Sequence, residues 1–173
     1  MDGFLDPSGV LDQLEFNENM VVADFGSGSG GWTIPLAKKL KKGAIFAVDI
    51  LPEPLSALES RAKIENIANI RSVKADAEDK NGIAVISAGS LDWVLMTNLL
   101  FQAEDKNQIF VEAKRVLKPG GKILVIEWRS DVVLGPVKKV SPEEVKRLAS
   151  ANGFTVEKDL AAGRYHYGIV LVK

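Results

Sequence analysis

The stretch that decides the fold is Val21-Val22-Ala23-Asp24-Phe25-Gly26-Ser27-Gly28-Ser29-Gly30-Gly31-Trp32-Thr33. An apolar, β-prone run ends in an acidic residue, passes through alternating glycines and continues into apolar residues at helical spacing. Glycine suits such a turn because a ligand can approach backbone that carries no Cβ, and because the turn needs φ angles that other residues resist. The stretch therefore predicts a strand, a tight turn and a helix whose first amides face an anionic group of a ligand.

The glycine spacing alone leaves two ligand classes open. Gly26, Gly28 and Gly31 satisfy the dinucleotide pattern G-x-G-x-x-G, whereas Gly26, Gly28 and Gly30 satisfy the tighter G-x-G-x-G. Asp24 favours the second class, because a carboxylate near the strand end repels a pyrophosphate but attracts an ammonium group. We therefore expect a nucleotide that carries an amino acid.

The run from Asp24 to Gly30 resembles motif I of the class I S-adenosylmethionine-dependent methyltransferases. The run from Leu117 to Gly121 into the apolar stretch 122–128 is similar to a second element of that family, and the similarity covers nearly the whole chain. The resemblance implies S-adenosylmethionine as cofactor and S-adenosylhomocysteine as product. Around the turn it implies that the cofactor is bound by Asp24, Phe25, Gly26, Ser27, Gly28, Gly30 and Thr33.

Composition limits the class of protein. The chain has 173 residues, 46% of them hydrophobic, which is enough for one domain over residues 1–173 with a short N-terminal helix. A net charge of -1 gives no strong nucleic-acid signal, and no apolar run approaches membrane-spanning length. With no cysteine and one histidine, no disulfide, thiolate nucleophile or metal site is expected. We expect a cytoplasmic protein, and its oligomeric state is left open.

Acidic residues follow two further predicted strands. Asp49, with Ile50 beside it, closes the apolar strand 44–49 at the distance from the glycines at which an acid reaches ribose hydroxyls. A helix cap or a solvent-facing acid is the alternative for Asp49. By resemblance, Asp76 accepts the adenine amino group and the amide of Ala77 faces a ring nitrogen. The alternative there is an acidic cluster at a helix start, because Glu78 follows directly.

The fourth predicted strand, 91–98, runs into Asn98-Leu99-Leu100-Phe101. By resemblance, its end faces the transferable methyl group, which makes Asn98 and Leu99 cofactor residues. Methyltransferases that act on amino groups of nucleic-acid bases carry Asn/Asp-Pro-Pro-Tyr/Phe at this place. The difference argues against a base amino group as the acceptor.

Five predicted strand-then-helix units followed by a hairpin indicate an α/β, doubly wound, Rossmann-like fold. By resemblance, the sheet has seven strands in the order 3-2-1-4-5-7-6 with the last strand antiparallel. That order brings Tyr165 and His166 to the carboxyl edge, near Glu127 and Trp128. His166 is a candidate general base because its pKa suits proton removal near neutrality, and simple packing is the alternative. The sequence assigns no catalytic residue.

The function expected from these features is S-adenosylmethionine-dependent methyl transfer to an unidentified small molecule. The landmarks are most similar to a quinone-biosynthesis-like group of small-molecule methyltransferases. Arsenite methyltransferases share them, but their thiols are absent here. A non-catalytic cofactor-binding or scaffold protein and a methyltransferase acting on protein or RNA are the alternatives.

Overall fold

The computed structural model describes residues 3–80 and 82–173, which form one seven-stranded sheet flanked by helices. The strands are β1 (Val21–Phe25), β2 (Ala44–Asp49), β3 (Ile70–Lys74), β4 (Leu91–Thr97), β5 (Leu117–Trp128), β6 (Thr155–Ala162) and β7 (His166–Val172). The helices are α1 (Pro7–Leu11), α2 (Thr33–Lys39), α3 (Pro52–Ile64), α4 (Lys106–Val116) and α5 (Pro142–Ala151).

The strand order is β3-β2-β1-β4-β5-β7-β6. Strands β1 to β5 pair in parallel, and β7 runs antiparallel to both β5 and β6. The predicted order and the predicted antiparallel last strand are confirmed. The fold is a doubly wound α/β sheet, and in such sheets ligands bind at the edge formed by the carboxyl ends of the parallel strands.

Both faces of the sheet are buried, as expected for parallel strands covered by crossover helices. Along β4, Trp93 and Leu95 pack with α1 and α2, whereas Val94 and Met96 pack with α4 and α5. This alternation is the two-residue period of a strand. No helix of the described residues is long and apolar enough to cross a membrane.

The register of the parallel strands brings their carboxyl ends level. Phe25 of β1 pairs with Val48 of β2 and with Met96 of β4, and Val48 pairs with Val73 of β3. The residues that follow these strands therefore meet at one edge of the sheet. This carboxyl edge is where open α/β sheets bind ligands.

The structure corrects the expectation of five strand-then-helix units. Between β3 and β4, the described residues form turns and no helix. Ile83 and Ile86 are buried in the core, and the guanidinium of Arg115 on α4 donates to their carbonyl oxygens at 3.0 and 2.9 Å. Arg115 is held in turn by the buried carboxylate of Glu112, at 2.8 Å. The carbonyl oxygen of Ile83 also accepts from the amide of Ile86 at 3.0 Å, so a local turn and the side chain of Arg115 together pair the carbonyl groups of this segment.

The helix after the glycine turn is also shorter than predicted. The helical spacing of apolar residues predicts a helix over about 31–42, but α2 runs from Thr33 to Lys39, and the chain turns at Leu40 toward β2. Gly43 lies against the backbone before β1, where a Cβ would come 1.9 Å from the carbonyl oxygen of Met20. The close approach of these two segments leaves no room for a Cβ at position 43.

Candidate cofactor site

A cavity of about 300 Å³ opens at the carboxyl edge, between the glycine turn, the end of β2 and the segment after β4. We call it the edge cavity. Most of the predicted cofactor residues line it: Gly26, Gly28, Asp49, Ile50, Asp76, Ala77, Asn98 and Leu99. Residues from four strand ends, distant in sequence, are therefore assembled around one space.

The backbone of the turn follows the tighter of the two glycine patterns. Gly26, Gly28 and Gly30 have φ angles of 71°, 52° and 89°, in the left-handed region that favours glycine. Gly31, the last glycine of the dinucleotide pattern, is not in that region. The turn thus requires glycine at the positions that the methyltransferase-like motif specifies.

Three amides of the turn bond within the chain. The amides of Gly26 and Ser27 donate to the carbonyl oxygen of Val48, at 2.8 and 3.0 Å, and that of Gly30 donates to the carbonyl oxygen of Ser27 at 3.0 Å. These three donors are used within the chain. The expectation that the first amides of α2, which begins at Thr33, face an anionic ligand group stays a prediction.

Asp49 connects β2 to the glycine turn. One carboxylate oxygen accepts from the amide of Gly28 at 2.9 Å, and the other accepts from the amide of Leu51 at 3.0 Å. Each oxygen has two acceptor sites, so capacity for a ligand hydroxyl remains on both. Leu51 is itself the N-cap residue of α3, so neither bond makes Asp49 a helix cap, and its cavity-lining position is compatible with the ribose prediction.

Asp76 and Ala77 lie on the other side of the edge cavity, after β3. One carboxylate oxygen of Asp76 accepts from the amide of Glu78 at 2.8 Å, which closes a local turn. Residues 75–80 form no helix, and the carboxylate of Glu78 accepts from the amide of Asp105 at 2.5 Å. The acidic-cluster alternative is thus not a helix terminus here.

Asp24 is buried and does not line the edge cavity. Its side chain is fully buried, and one oxygen accepts from the hydroxyl of Thr33 at 2.6 Å. The other oxygen has no hydrogen-bond partner among the described residues. Burial raises the pKa of Asp24 to about 7, the hydroxyl of Thr33 opposes the rise, and the nearby charge of Asp49 adds to it. The contact predicted between Asp24 and a ligand ammonium stays a prediction.

The raised pKa of Asp24 predicts how stability depends on pH. Between the ordinary pKa of 3.8 and about 7, the folded protein holds a proton that the unfolded chain releases, so this contribution to stability falls as pH rises. Asp24→Asn keeps an acceptor for Thr33 and cannot ionise. In urea unfolding, the unfolding free energy of the variant minus that of the wild type is expected to be larger at pH 8 than at pH 5. A difference in unfolding free energy that is the same at both pH values would contradict the assignment.

Four other predicted residues lie outside the wall of the edge cavity. Phe25 is fully buried in the core, Ser27 is buried with its hydroxyl unpaired among the described residues, and Gly30 faces Leu58 of α3. Thr33 is buried with its hydroxyl on Asp24. These residues shape the turn and do not line the edge cavity.

The sequence did not identify the apolar part of the wall. Leu51 and Pro54 line one side of the edge cavity, and Ala103 and Ile109 line another. Leu51 is 53% exposed, a large fraction for an apolar side chain at the mouth of a cavity. Apolar residues of this kind resemble core residues in the sequence, so only the fold reveals that they flank a ligand space.

His166 lies at the carboxyl edge, as the strand order predicted, but in a different place from the edge cavity. It pairs with Trp128 across β5 and β7, and the two rings lie 4.1 Å apart. It lines a second cavity of about 500 Å³, which shares no lining residue with the edge cavity. Burial lowers its pKa, and neither ring nitrogen has a partner among the described residues. A neutral imidazole can accept a proton, so the role of general base stays a prediction. Tyr165 stacks on Phe4 at 5.4 Å.

Comparison with known proteins adds independent information. Residues 22–121 match the family described as a methyltransferase domain. A ubiquinone/menaquinone biosynthesis C-methyltransferase from Vibrio vulnificus is 29% identical over 146 residues, covering 83% of this chain and 54% of the relative. The chain spans about half the length of the curated relatives it matches.

Solved structures show the same fold. A SAM-dependent methyltransferase from Aquifex aeolicus superimposes with a TM-score of 0.83 at 23% identity, over 98% of this chain and 90% of that one. An N-methyltransferase from Haemonchus contortus, solved with phosphomonomethylethanolamine and S-adenosylhomocysteine, gives a TM-score of 0.72 at 20% identity, over 87% of this chain and 38% of that one. The matched region of the family covers more than half of the residues. The chain therefore belongs to the methyltransferase domain family.

Proposed function

We propose that this chain binds S-adenosylmethionine in the edge cavity and catalyses transfer of its methyl group to a small molecule. The observation that carries the proposal is the position of Asp49, which lines the cavity and bonds directly to the glycine turn. A carboxylate beside a glycine turn can accept hydrogen bonds from the ribose hydroxyls of a nucleoside that lies over the turn. Membership of the methyltransferase domain family supports the same cofactor.

The proposed contacts follow the walls of the edge cavity. Asp49 accepts from the ribose, while Asp76 and the amide of Ala77 read the edge of the adenine. The amino-acid portion lies over Gly26 and Gly28, where no Cβ intervenes. The segment from Asn98 to Leu99 borders the donor's reactive end, with Ile50 covering the adenine from the opposite side.

The chemistry needs few groups from the protein. When bound, S-adenosylmethionine supplies a methyl group on a positively charged sulfur, and that carbon–sulfur bond breaks as the acceptor's new bond forms. The residues around the edge cavity orient the reactants and exclude water, which can account for much of the rate. Among them, no residue is assigned as a base, and His166 stays a candidate for an acceptor that must lose a proton.

A small-molecule acceptor is supported by the relatives, which are named for steps in quinone biosynthesis. The near-neutral charge also disfavours a nucleic-acid partner. The cytoplasmic location and the single-domain organisation stay predictions of the sequence.

Calorimetry with S-adenosylhomocysteine and with NAD tests the cofactor assignment. We expect the chain to bind S-adenosylhomocysteine at least tenfold more tightly, because Asp49 and Asp76 line the cavity and their carboxylates repel a pyrophosphate. Tighter binding of NAD would refute the assignment.

A second experiment tests catalysis and the class of acceptor. The chain is incubated with methyl-labelled S-adenosylmethionine and a cell extract, and samples are treated with nuclease or protease. We expect label in the small-molecule fraction. Binding without any label transfer would favour a non-catalytic role, and label released only by nuclease or protease would favour RNA or protein as acceptor.

A further inference from the structure

Glu127 is a buried carboxyl group that the proposed chemistry does not use. It lies near the carboxyl end of β5 and is 0% exposed. Its Oε1 atom accepts from the amide of Leu100 at 2.6 Å, and its Oε2 atom has no partner among the described residues. Burying a carboxyl group costs free energy unless hydrogen bonds compensate. The compensation here comes from one short segment of backbone.

That segment is 98–102, the turn after β4, and we call it the post-β4 turn. Asn98 has a φ of 53°, a left-handed conformation that is unfavourable for a residue with a side chain. Its amide donates to the carbonyl oxygen of Ile126 at 2.8 Å, and its carbonyl oxygen accepts from the side chain of Gln102 at 2.7 Å. The turn is thus tied to β5 at Asn98 and closed on itself by Gln102, with Glu127 holding its centre through Leu100.

The amide of Leu100 ties the carboxyl group of Glu127 to the post-β4 turn. Burial raises the pKa of Glu127 to about 7, while the backbone amides of Leu100, Phe101 and Leu99 act in the opposite direction. The carboxyl group is thus bound from within the chain, by a backbone donor of this turn.

The post-β4 turn forms one wall of the edge cavity. Asn98, Leu99 and Gln102 line the cavity directly. Leu99 also packs against the glycine turn, since a Cβ on Gly26 would come 2.9 Å from its Cδ1 atom. The position of the turn therefore sets the width of the cavity between Leu99 and Gly26.

We infer that Glu127 is a positioning residue for the cofactor: through the amide of Leu100 it holds the post-β4 turn against the glycine turn and so sets cofactor affinity. The inference rests on the proposed function in naming the ligand. It does not depend on the acceptor, because Glu127 acts on the wall of the edge cavity and touches no reacting atom.

The test measures S-adenosylhomocysteine binding by calorimetry for the wild type and for three variants of the full chain. Glu127→Ala removes the acceptor, and Glu127→Asp keeps the charge but shortens the reach to Leu100. We expect each to weaken binding about tenfold or more, the size of a lost hydrogen bond to a charged group. Glu127→Gln keeps an acceptor oxygen of the same reach, and its affinity is expected to lie between those of Glu127→Ala and the wild type.

Asp92→Ala is the matched control. Asp92 also accepts a backbone amide, that of Val21, at 2.8 Å, but it does so at the opposite end of the same sheet. Its loss is expected to lower the melting temperature and to leave cofactor affinity within twofold of the wild type.

Several results would overturn the inference: wild-type affinity in both Glu127→Asp and Glu127→Ala, or an equal loss in Asp92→Ala. If Glu127→Ala does not fold, Glu127→Asp and Glu127→Gln decide the question, with hydrogen exchange of the Leu100 amide as a second measurement. Faster exchange in Glu127→Asp than in Glu127→Gln supports the inference, and equal exchange contradicts it. Failure of the wild type to bind S-adenosylhomocysteine would refute the proposed function instead.

Discussion

Asp49→Ala is expected to weaken S-adenosylhomocysteine binding by about tenfold to a hundredfold, since a hydrogen bond to a charged group contributes about 1.5 to 3 kcal/mol. The substitution removes the acceptor proposed for the ribose hydroxyls. It also frees the amide of Gly28, which donates to that carboxylate at 2.9 Å. Both effects act on the edge cavity, so calorimetry should report them as a loss of affinity.

Two variants separate the ligand contact from the structural one. Asp49→Asn keeps an oxygen that can accept from Gly28 but loses the charge, so we expect an intermediate affinity. Glu53→Ala removes an exposed acid from the first turn of α3, outside the cavity wall, and should bind like the wild type. Unchanged affinity in Asp49→Ala would remove Asp49 from the site.

Gly30→Ala is expected to lower the free energy of unfolding by about 2 to 4 kcal/mol, combining left-handed strain with overpacking. Gly30 has a φ of 89°, and a Cβ there would come 2.3 Å from the Cδ1 atom of Leu58 and 3.3 Å from the Cγ1 atom of Ile34. Leu58 is fully buried, which limits how far its side chain can move aside. Urea unfolding measures the loss.

The neighbouring glycine provides the control for this prediction. Gly31 has no positive φ, and a Cβ on it would meet nothing within 4 Å. Gly31→Ala should therefore change stability by no more than about 0.5 kcal/mol. Similar losses in Gly30→Ala and Gly31→Ala would show that the turn does not have the backbone described here.

The sequence was most informative where two independent patterns meet. The glycine turn and the acid closing the next strand could be placed together because parallel strands end at a common edge, and Gly28 and Asp49 are indeed in direct contact. The strand order followed from the family resemblance and is confirmed by the sheet. The contact between the turn and Asp49 follows from a general property of parallel sheets, whereas the strand order rested on the resemblance alone.

The direction of a side chain at a strand end was not predictable. Because β1 is buried on both faces, its sequence shows no alternation of apolar and polar residues that would indicate whether the side chain of Asp24 lines the cavity. The prediction of a helix after β3 was also wrong, because contacts from elsewhere in the chain stabilise this segment. The carbonyl oxygens of Ile83 and Ile86 are paired by Arg115, which comes from a distant helix.

Glu127 was placed at the correct edge of the sheet, but its role was not foreseen. Its partner is the backbone amide of Leu100, and a backbone partner cannot be identified from residue types. Long-range contacts between a side chain and a backbone group are visible only after the fold is assembled.

A crystal structure of the chain with S-adenosylhomocysteine would test the central claim most directly. We predict that the nucleoside occupies the edge cavity, with its ribose hydroxyls within hydrogen-bonding distance of Asp49 and its adenine beside Asp76 and Ala77. Density for the nucleoside elsewhere, such as in the cavity lined by His166, would contradict the account.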